Sequence, residues 1–183
     1  RQMCIRDRLG INVVHHLQGV GENLRDHYAP RFTGRVKNTS SINELTRGPQ
    51  LLWEICKYAM GKPSIVGLGP TLVYCFWHSE PTIRNHDLQL TFAPASYRGG
   101  VQSEIDTEPG FTCAAWQQRP ESLGYIHART ADPFDKPAIQ PNYLDAEEDR
   151  RVVLAGMKLA RQLMHSAALA PFLDHEVYPG MHI

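Results

Sequence analysis

The chain has 183 residues, of which 42% are hydrophobic and 21% charged, and its formal net charge at pH 7 is zero. This length supports one domain with a hydrophobic core, or one domain and part of another. The balanced charge gives no electrostatic reason to expect nucleic acid or an anionic membrane as a partner, and no apolar run approaches the roughly 20 residues of a membrane span. We expect a cytoplasmic protein without a transmembrane segment, and peripheral membrane association stays open.

The four cysteines give no indication of a metal site. Cys4, Cys56, Cys75 and Cys113 are widely spaced and form no C-x-x-C pair. A zinc site is therefore not expected, and reduced, mostly buried thiols are the default.

The first eight residues differ in character from the rest of the chain. Residues 1–8 are charged and lack the apolar segment of a signal peptide. They join poorly to residues 9–14, whose apolar character is typical of a domain interior. We expect residues 1–8 to be an artefact or a disordered tail.

The first predicted elements are two short strands. Gly10–Leu17 is a short apolar run, which predicts a strand that leads into a turn at Gly19–Gly21. Tyr28–Val36 alternates roughly between apolar and polar residues, and it predicts a second strand.

Two helices are predicted next. Ile42–Arg47 predicts a short helix, because Ser41 and Glu44 have the spacing of a capping box. Pro49–Met60 predicts a longer helix that ends at Gly61. The residues that share its apolar face are Leu51, Leu52, Ile55, Tyr58 and Ala59.

Strand patterns dominate the middle of the chain. Leu72–Trp77 is apolar and aromatic, which predicts a buried strand, and Asp87–Phe92 alternates with period two. Phe111–Gln117 and Gly124–Arg129 predict two further strands. The polar, glycine-bearing segment Ser96–Gly110 between them predicts a surface loop.

The last strong element is a long amphipathic helix. Ala138–Leu144 predicts a short extended run, and Ala146–Ser166 predicts a helix with Asp145 and Glu148 as its capping box. Its predicted buried stripe is Val152, Gly156, Leu159, Ala160, Leu163 and Met164. Together the elements predict an α+β fold, with an antiparallel sheet and helices packed on one face.

The richest polar stretch runs from Gly19 to His27 and reads GVGENLRDH. Glycines permit a tight turn and the close approach of a ligand, and the carboxylate of Asp26 beside His27 can fix an imidazole tautomer. The stretch has no third glycine and is therefore not a Rossmann fingerprint. Taken alone, these residues are more simply explained by an ordinary turn without a ligand, and no G-x-S-x-G or H-E-x-x-H motif points to other chemistry.

Three stretches in order resemble the glucose–methanol–choline oxidoreductases, and especially their choline-dehydrogenase-like branch. Gly19–His27 is similar to the family's G-V-G-x-N-L-x-D-H. Gly67–Pro70 and Asp87–Phe92 are similar to its G-x-G-P and D-x-Q segments. The third stretch runs from Arg119 through Pro141-Asn142-Tyr143-Leu144 to Asp149, and Glu176–Gly180 resembles an E-x-x-P-G.

The resemblance implies an FAD-dependent enzyme that oxidises an alcohol to an aldehyde by hydride transfer to flavin. It implies that residues 9–30 end an FAD-binding domain whose Rossmann-like part is largely missing. Residues 31–183 would form the substrate-binding domain, with 119–183 similar to the start of the family's C-terminal region. The remainder of the same polypeptide would be its partner.

The resemblance also suggests site residues. Those expected near FAD are Gly19, Gly21, Asn23, Leu24, Asp26 and His27, and those expected at the substrate are Gln89, Thr91 and Phe92. Catalytic residues are expected beyond residue 183, so this chain alone should neither hold FAD nor oxidise choline. The alternative is a stand-alone ligand-binding module of the same fold without redox activity.

Overall fold

The coordinates are a computed structural model that describes residues 9–69, 71–98, 104–180 and 182. The expectation for residues 1–8 lies outside this range. The strands are β1 Glu22–Leu24, β2 Arg31–Val36, β3 Val73–Trp77, β4 Leu88–Ala93, β5 Gly110–Gln117, β6 Gly124–His127, β7 Ala138–Gln140 and β8 Leu173–Tyr178. The helices are α1 Ile42–Leu45, α2 Gly48–Ala59 and α3 Glu147–Met164, and a 3₁₀ turn covers Ile65–Gly67.

The strands form two antiparallel sheets. One sheet has the order β1-β6-β7, and the other has the order β3-β4-β5-β2-β8. The predicted α+β class with antiparallel pairing is therefore confirmed, although two sheets replace the single one expected. Sequence periodicity identifies strands but does not say which strands pair.

The chain divides into two compact units. Unit 1 joins the described part of Arg1–Tyr28 to Gln118–Arg151, and unit 2 joins Ala29–Gln117 to the described part of Val152–Ile183. The sequence placed a boundary between residues 30 and 31 and assigned everything after it to one domain. The structure groups residues 118–151 with the residues before 29 instead. That unit 1 ends a flavin domain stays a prediction.

The core of unit 2 lies between α3 and one face of the five-stranded sheet. Leu88 and Leu90 of β4 are 1% and 2% exposed and belong to the same cluster as Val152 of α3. Gly156 permits this close packing, since a Cβ there would lie 2.6 Å from Cδ1 of Leu88 and 3.1 Å from Cβ of Ala115. The predicted stripe of α3 is buried, except that Leu159 is only partly buried and Leu163 is exposed.

Two strand predictions need correction. Gly10–Leu17 forms no strand, and its Val14 is 94% exposed. Leu72–Trp77 does contain β3, but β3 is an edge strand of its sheet, and Tyr74 and Phe76 are exposed. A short apolar run carries no information about what pairs with it or covers it.

The exposed face of α2 was also not expected. Leu52 and Trp53 are 63% and 57% exposed, whereas Glu54 is 3% exposed. The Glu54 carboxylate accepts from the backbone N–H of Ile65 at 3.1 Å and lies 2.5 Å from Nζ of Lys57. The hydrogen bond from Lys57 lowers the pKa of Glu54. A charged side chain therefore anchors this helix, and its apolar face points outward.

The thiols are mixed in their exposure. Cys56, Cys75 and Cys113 are free, and only Cys113 is buried. Burial, with a smaller effect from Cys75, raises the pKa of Cys113 to about 11. The expected burial of most cysteines is thus wrong for Cys56, which is exposed.

A buried amide fixes both ends of the segment between β4 and β5. Asn43 of α1 is fully buried, and its Nδ2 donates to the carbonyls of Ser96 at 2.9 Å and Asp106 at 3.1 Å. Its Oδ1 accepts from the N–H of Ser96 at 2.9 Å. The predicted capping box of Ser41 and Glu44 is present at the start of α1. Ser96, expected in a surface loop, is fully buried because this amide satisfies its backbone.

An ion pair supports the same segment from β2. Nη2 of Arg35 lies 2.7 Å from Oδ2 of Asp106, and Nη1 donates to Oγ of Ser96 at 3.2 Å. Burial acts to raise the pKa of Asp106, but the hydrogen bond from Arg35 and backbone N–H groups outweigh it and lower that pKa.

In unit 1 a buried carboxylate joins α3 to the segment before β6. Asp149 is 3% exposed and accepts from the backbone N–H groups of Glu121 and Ser122, each at 2.9 Å. Oγ of Ser122 donates to Asp149 at 2.5 Å and accepts from the N–H of Ala146 at 3.0 Å. Asp149 thus satisfies two backbone donors of the segment before β6, and Ser122 satisfies the N–H of Ala146 next to the helix start.

We expect Asn43→Ala to lower the free energy of unfolding by about 2–4 kcal/mol, because it leaves buried backbone groups of Ser96 and Asp106 without partners. Urea denaturation of the chain, followed by circular dichroism, measures this. The exposed Asn85 provides the control, and Asn85→Ala should cost less than about 0.5 kcal/mol. Equal stability of the two variants would contradict the role of Asn43.

We expect Asp149→Ala to lower the free energy of unfolding by about 2–4 kcal/mol as well, since the N–H groups of Glu121 and Ser122 lose a charged acceptor. Glu147→Ala, on the exposed first turn of the same helix, should cost less than about 1 kcal/mol. Thermal unfolding of both variants gives the comparison, and the prediction fails if Glu147→Ala is the more damaging.

Candidate functional site

The face of the five-stranded sheet that points away from α3 carries a cavity of about 580 Å³, here called the sheet-face cavity. All of its lining residues belong to unit 2. They are Ala29, Arg31, Thr71, Tyr74, Thr91, Ala93, Tyr97, Thr112, Ala114 and Trp116.

Strand register builds this cavity. Tyr74 of β3 pairs with Thr91 of β4, Thr91 pairs with Ala114 of β5, and Ala114 pairs with Arg31 of β2. Directly paired residues point to the same face, so these side chains form one row across four strands. The small central residues make a floor, and the large side chains at either end of the row make walls.

Tyr97 adds a wall from outside the sheet. It follows Ser96, whose backbone is held by Asn43, and it forms an isolated bridge with Ile105. The N–H of Arg98 donates to the carbonyl of Glu104 at 2.9 Å. The backbone position of Tyr97 is therefore fixed on both sides.

The three predicted substrate residues do not share one wall. Thr91 lies in the floor of the sheet-face cavity. Gln89 pairs with Trp116 and lies on the same sheet face, but it is not part of the lining. Phe92 is misplaced as a wall of this cavity, because its ring packs on the core side, 5.2 Å from the ring of Phe111. Contact of any of them with a substrate stays a prediction.

Sequence reasoning missed the residues that shape the cavity most. Alternation within Phe111–Gln117 places Thr112, Ala114 and Trp116 on one face, and that signal was readable. The position of Arg31 opposite Ala114 was not readable, because it depends on the pairing of strands far apart in sequence.

In unit 1 the stretch Gly19–His27 forms a tight, exposed turn followed by β1. The N–H of Glu22 donates to the carbonyl of Gly19 at 3.1 Å, and the carbonyl of Gly21 accepts from Ile126 at 2.7 Å. Gly21 has φ 77° and Asn23 has φ 60°, so the backbone takes the left-handed conformation twice. Gly19 and Asn23 are exposed, and no atom outside its chain neighbours lies within 4 Å of a Cβ placed on Gly19.

The polar side chains at the end of this stretch have partners inside unit 1. Asp26 accepts from the N–H of His27 at 2.9 Å with Oδ1 and from the hydroxyl of Tyr143 with Oδ2. Nε2 of His27 lies 3.1 Å from the carbonyl of Gln118. The hydrogen bond to Asp26 raises the pKa of Tyr143. Asp26 and His27 therefore anchor the turn, and its exposed backbone is the part open to a ligand.

The predicted cofactor residues thus separate into two groups. Gly19, Gly21 and Asn23 shape the turn, Leu24 ends β1, and Asp26 and His27 tie the segment down. Their contact with FAD stays a prediction.

The first and third motif stretches, which lie far apart in sequence, meet in unit 1. Tyr143 binds Asp26, Nδ2 of Asn142 donates to the carbonyl of Leu123 at 2.9 Å, and Asp149 holds Ser122. The joint presence of these two stretches therefore has a physical basis, since Tyr143 of one binds Asp26 of the other and the third stretch is held together by its own side chains. Within the described ranges, no helix is both long enough and apolar enough to cross a bilayer.

Comparison with known proteins gives consistent results. Residues 120–183 match the family model described as GMC oxidoreductase. The oxygen-dependent choline dehydrogenase of Vibrio vulnificus is 31% identical over 98% of this chain and 32% of its own length. The mitochondrial choline dehydrogenase of Homo sapiens is 33% identical over 96% of this chain and 30% of its own length. The chain therefore spans about a third of the length of these relatives.

Solved structures share the fold. Formate oxidase from Aspergillus oryzae superimposes with a TM-score of 0.79 at 21% identity, over 95% of this chain and 35% of that one. Pyridoxine 4-oxidase from Mesorbium loti gives a TM-score of 0.72 at 15% identity, over 97% and 31%. Together, these comparisons relate the chain to the glucose–methanol–choline (GMC) oxidoreductases: residues 120–183 match the family model, and nearly the whole chain aligns with about a third of each choline dehydrogenase.

Proposed function

We propose that the polypeptide containing this chain is an FAD-dependent oxidoreductase that oxidises an alcohol to an aldehyde. Bound FAD would supply the hydride acceptor for such a reaction, in which the carbon–hydrogen bond of the alcohol would break and a base would take the hydroxyl proton. The catalytic base comes from a segment beyond residue 183. The support is the match of residues 120–183 to the GMC oxidoreductase model and the similarity of the chain to choline dehydrogenases.

The observation that carries the proposal is the sheet-face cavity. Its volume of about 580 Å³ lies in the range of small-molecule sites, and its lining is mainly apolar with a few polar groups. The floor is rigid, because Thr91 and Ala114 belong to central strands held by ladders on both sides. In our proposal this face forms the substrate wall of the active site.

The exposed turn of unit 1 fits the role of a cofactor contact. A side chain at Gly19 would stand in open space, so a flat ligand can approach the main chain there closely. Gly21 has a positive φ, a backbone conformation that glycine adopts readily. Asp26 and His27 contribute by holding the turn through Tyr143 and Gln118.

Anaerobic spectroscopy tests the proposed reaction. We expect the polypeptide that contains this chain to carry flavin, and a primary alcohol to bleach its visible absorbance. We expect the chain by itself to purify without flavin, because it holds only part of the proposed site. Bound and reducible flavin in the chain alone would contradict the expectation that this chain holds only part of the site. A polypeptide that binds small alcohols without flavin would favour the ligand-binding module.

A glycine variant tests the cofactor contact separately from folding. Gly19→Ala adds a methyl group where nothing lies within 4 Å, so the unfolding temperature should not change. Flavin occupancy of the polypeptide should fall several-fold, because the methyl group blocks approach to the turn. Gly69→Ala is the matched control, since the atom nearest to its Cβ is the Thr71 carbonyl oxygen at 3.8 Å. Equal flavin content in the two variants would remove Gly19 from the site.

A further inference from the structure

The sheet-face cavity has one formal charge among its described lining residues. That charge is the guanidinium of Arg31, and none of the described lining residues is Asp or Glu. The remaining polar groups are the hydroxyls of threonine and tyrosine side chains and the indole of Trp116. Electrostatically, the described lining is therefore suited to an anionic group.

The fold holds Arg31 where a small ligand would meet it. Its backbone belongs to β2 and pairs with Ala114, whose methyl group leaves space above the floor. Thr91 lies one strand further along the same row, so the row from Arg31 to Thr91 spans roughly 10 Å. A hydroxyl compound of a few carbon atoms can bridge that distance.

Arg31 is suited to binding a carboxylate. It is half-buried, which strengthens its electrostatic interactions relative to a fully solvated side chain. It also makes a further interaction within the protein. A guanidinium carries several N–H donors in a planar fork, so one partner leaves others to bind a carboxylate.

A quaternary ammonium group fits the same lining poorly. Tyr74, Tyr97 and Trp116 offer aromatic faces, which attract cations. The guanidinium of Arg31 repels a second cation in the same partly desolvated space, which counts against a quaternary ammonium group despite these rings. The described lining offers no carboxylate to offset it.

We propose that the sheet-face cavity selects an alcohol that carries a carboxylate over choline, and that Arg31 determines this preference. The inference rests on the proposed function, because it takes this cavity as the substrate wall. On this proposal, the substrate of this protein is an anion, whereas the relatives named choline dehydrogenase act on a cationic alcohol.

The test compares three alcohols in the flavin-loaded polypeptide: 4-hydroxybutanoate, butan-1-ol and choline. We expect kcat/KM to be highest for 4-hydroxybutanoate. Arg31→Gln should lower that value by roughly 10- to 100-fold, the usual effect of losing a charged hydrogen bond, with little change for butan-1-ol. Arg31→Glu should shift the preference toward choline. Arg31→Lys should retain part of the preference for the acid.

The control is Arg84→Gln, which removes an exposed positive charge outside the cavity lining. It should leave all three kcat/KM values unchanged. Circular dichroism melting of each variant separates a changed preference from failed folding. A wild-type preference for choline, or an unchanged ratio in Arg31→Gln, overturns the proposal.

Binding of non-oxidisable probes tests the charge preference without redox chemistry. Calorimetric titration with butanoate and with tetramethylammonium measures it even if none of the alcohols reduces the flavin, a result that would defeat the proposed function. Tighter binding of butanoate that is lost in Arg31→Gln supports the charge selection. Tighter binding of tetramethylammonium overturns it.

Discussion

The alternation of side chains across the five-stranded sheet is the constraint on which both the core and the candidate site depend. In β5, Phe111, Cys113 and Ala115 face the core beneath α3, whereas the residues between them line the sheet-face cavity. Successive side chains of a strand point to opposite faces of the sheet. The strand pairing that places one set of side chains in the core therefore places the other set in the cavity. A shift of one residue would exchange them, burying Trp116 and exposing Phe111. The apolar contacts made by α3 therefore also hold the cavity in its place.

Irregular segments are held by a small number of buried polar side chains. Asn43 satisfies the backbone at both ends of the segment between β4 and β5, and Asp149 does the same for the segment before β6. Each is fully or almost fully buried, where an unmade hydrogen bond is costly. Asp26 works in a more exposed setting through Tyr143. Polar residues that look catalytic in the sequence can therefore have a structural role, in which they hold the backbone of the segments that carry the candidate sites.

The similarity to choline dehydrogenases and the local charge of the cavity point to different substrates. Two relatives are choline dehydrogenases, and their names suggest a cationic alcohol. The described lining of the sheet-face cavity instead carries a cation of its own, Arg31, and no acid. In our proposal the sheet face is the substrate wall, and the side chains along it decide which charge it accepts. The proposed preference for an anionic alcohol follows from this difference.

The sequence by itself determined the helices, most strands, the antiparallel class and the resemblance to the GMC oxidoreductases. Capping residues at Ser41 and Glu44 and the alternation of Asp87–Phe92 are local signals, and local contacts realise them. Only the tertiary structure decided that the strands form two sheets, that α2 turns Leu52 and Trp53 outward, and that Arg31 faces Ala114. These features depend on pairings between residues far apart in sequence. Alternation within one strand shows which residues share a face, but the partner strand and the covering helix decide which face becomes core and which becomes site.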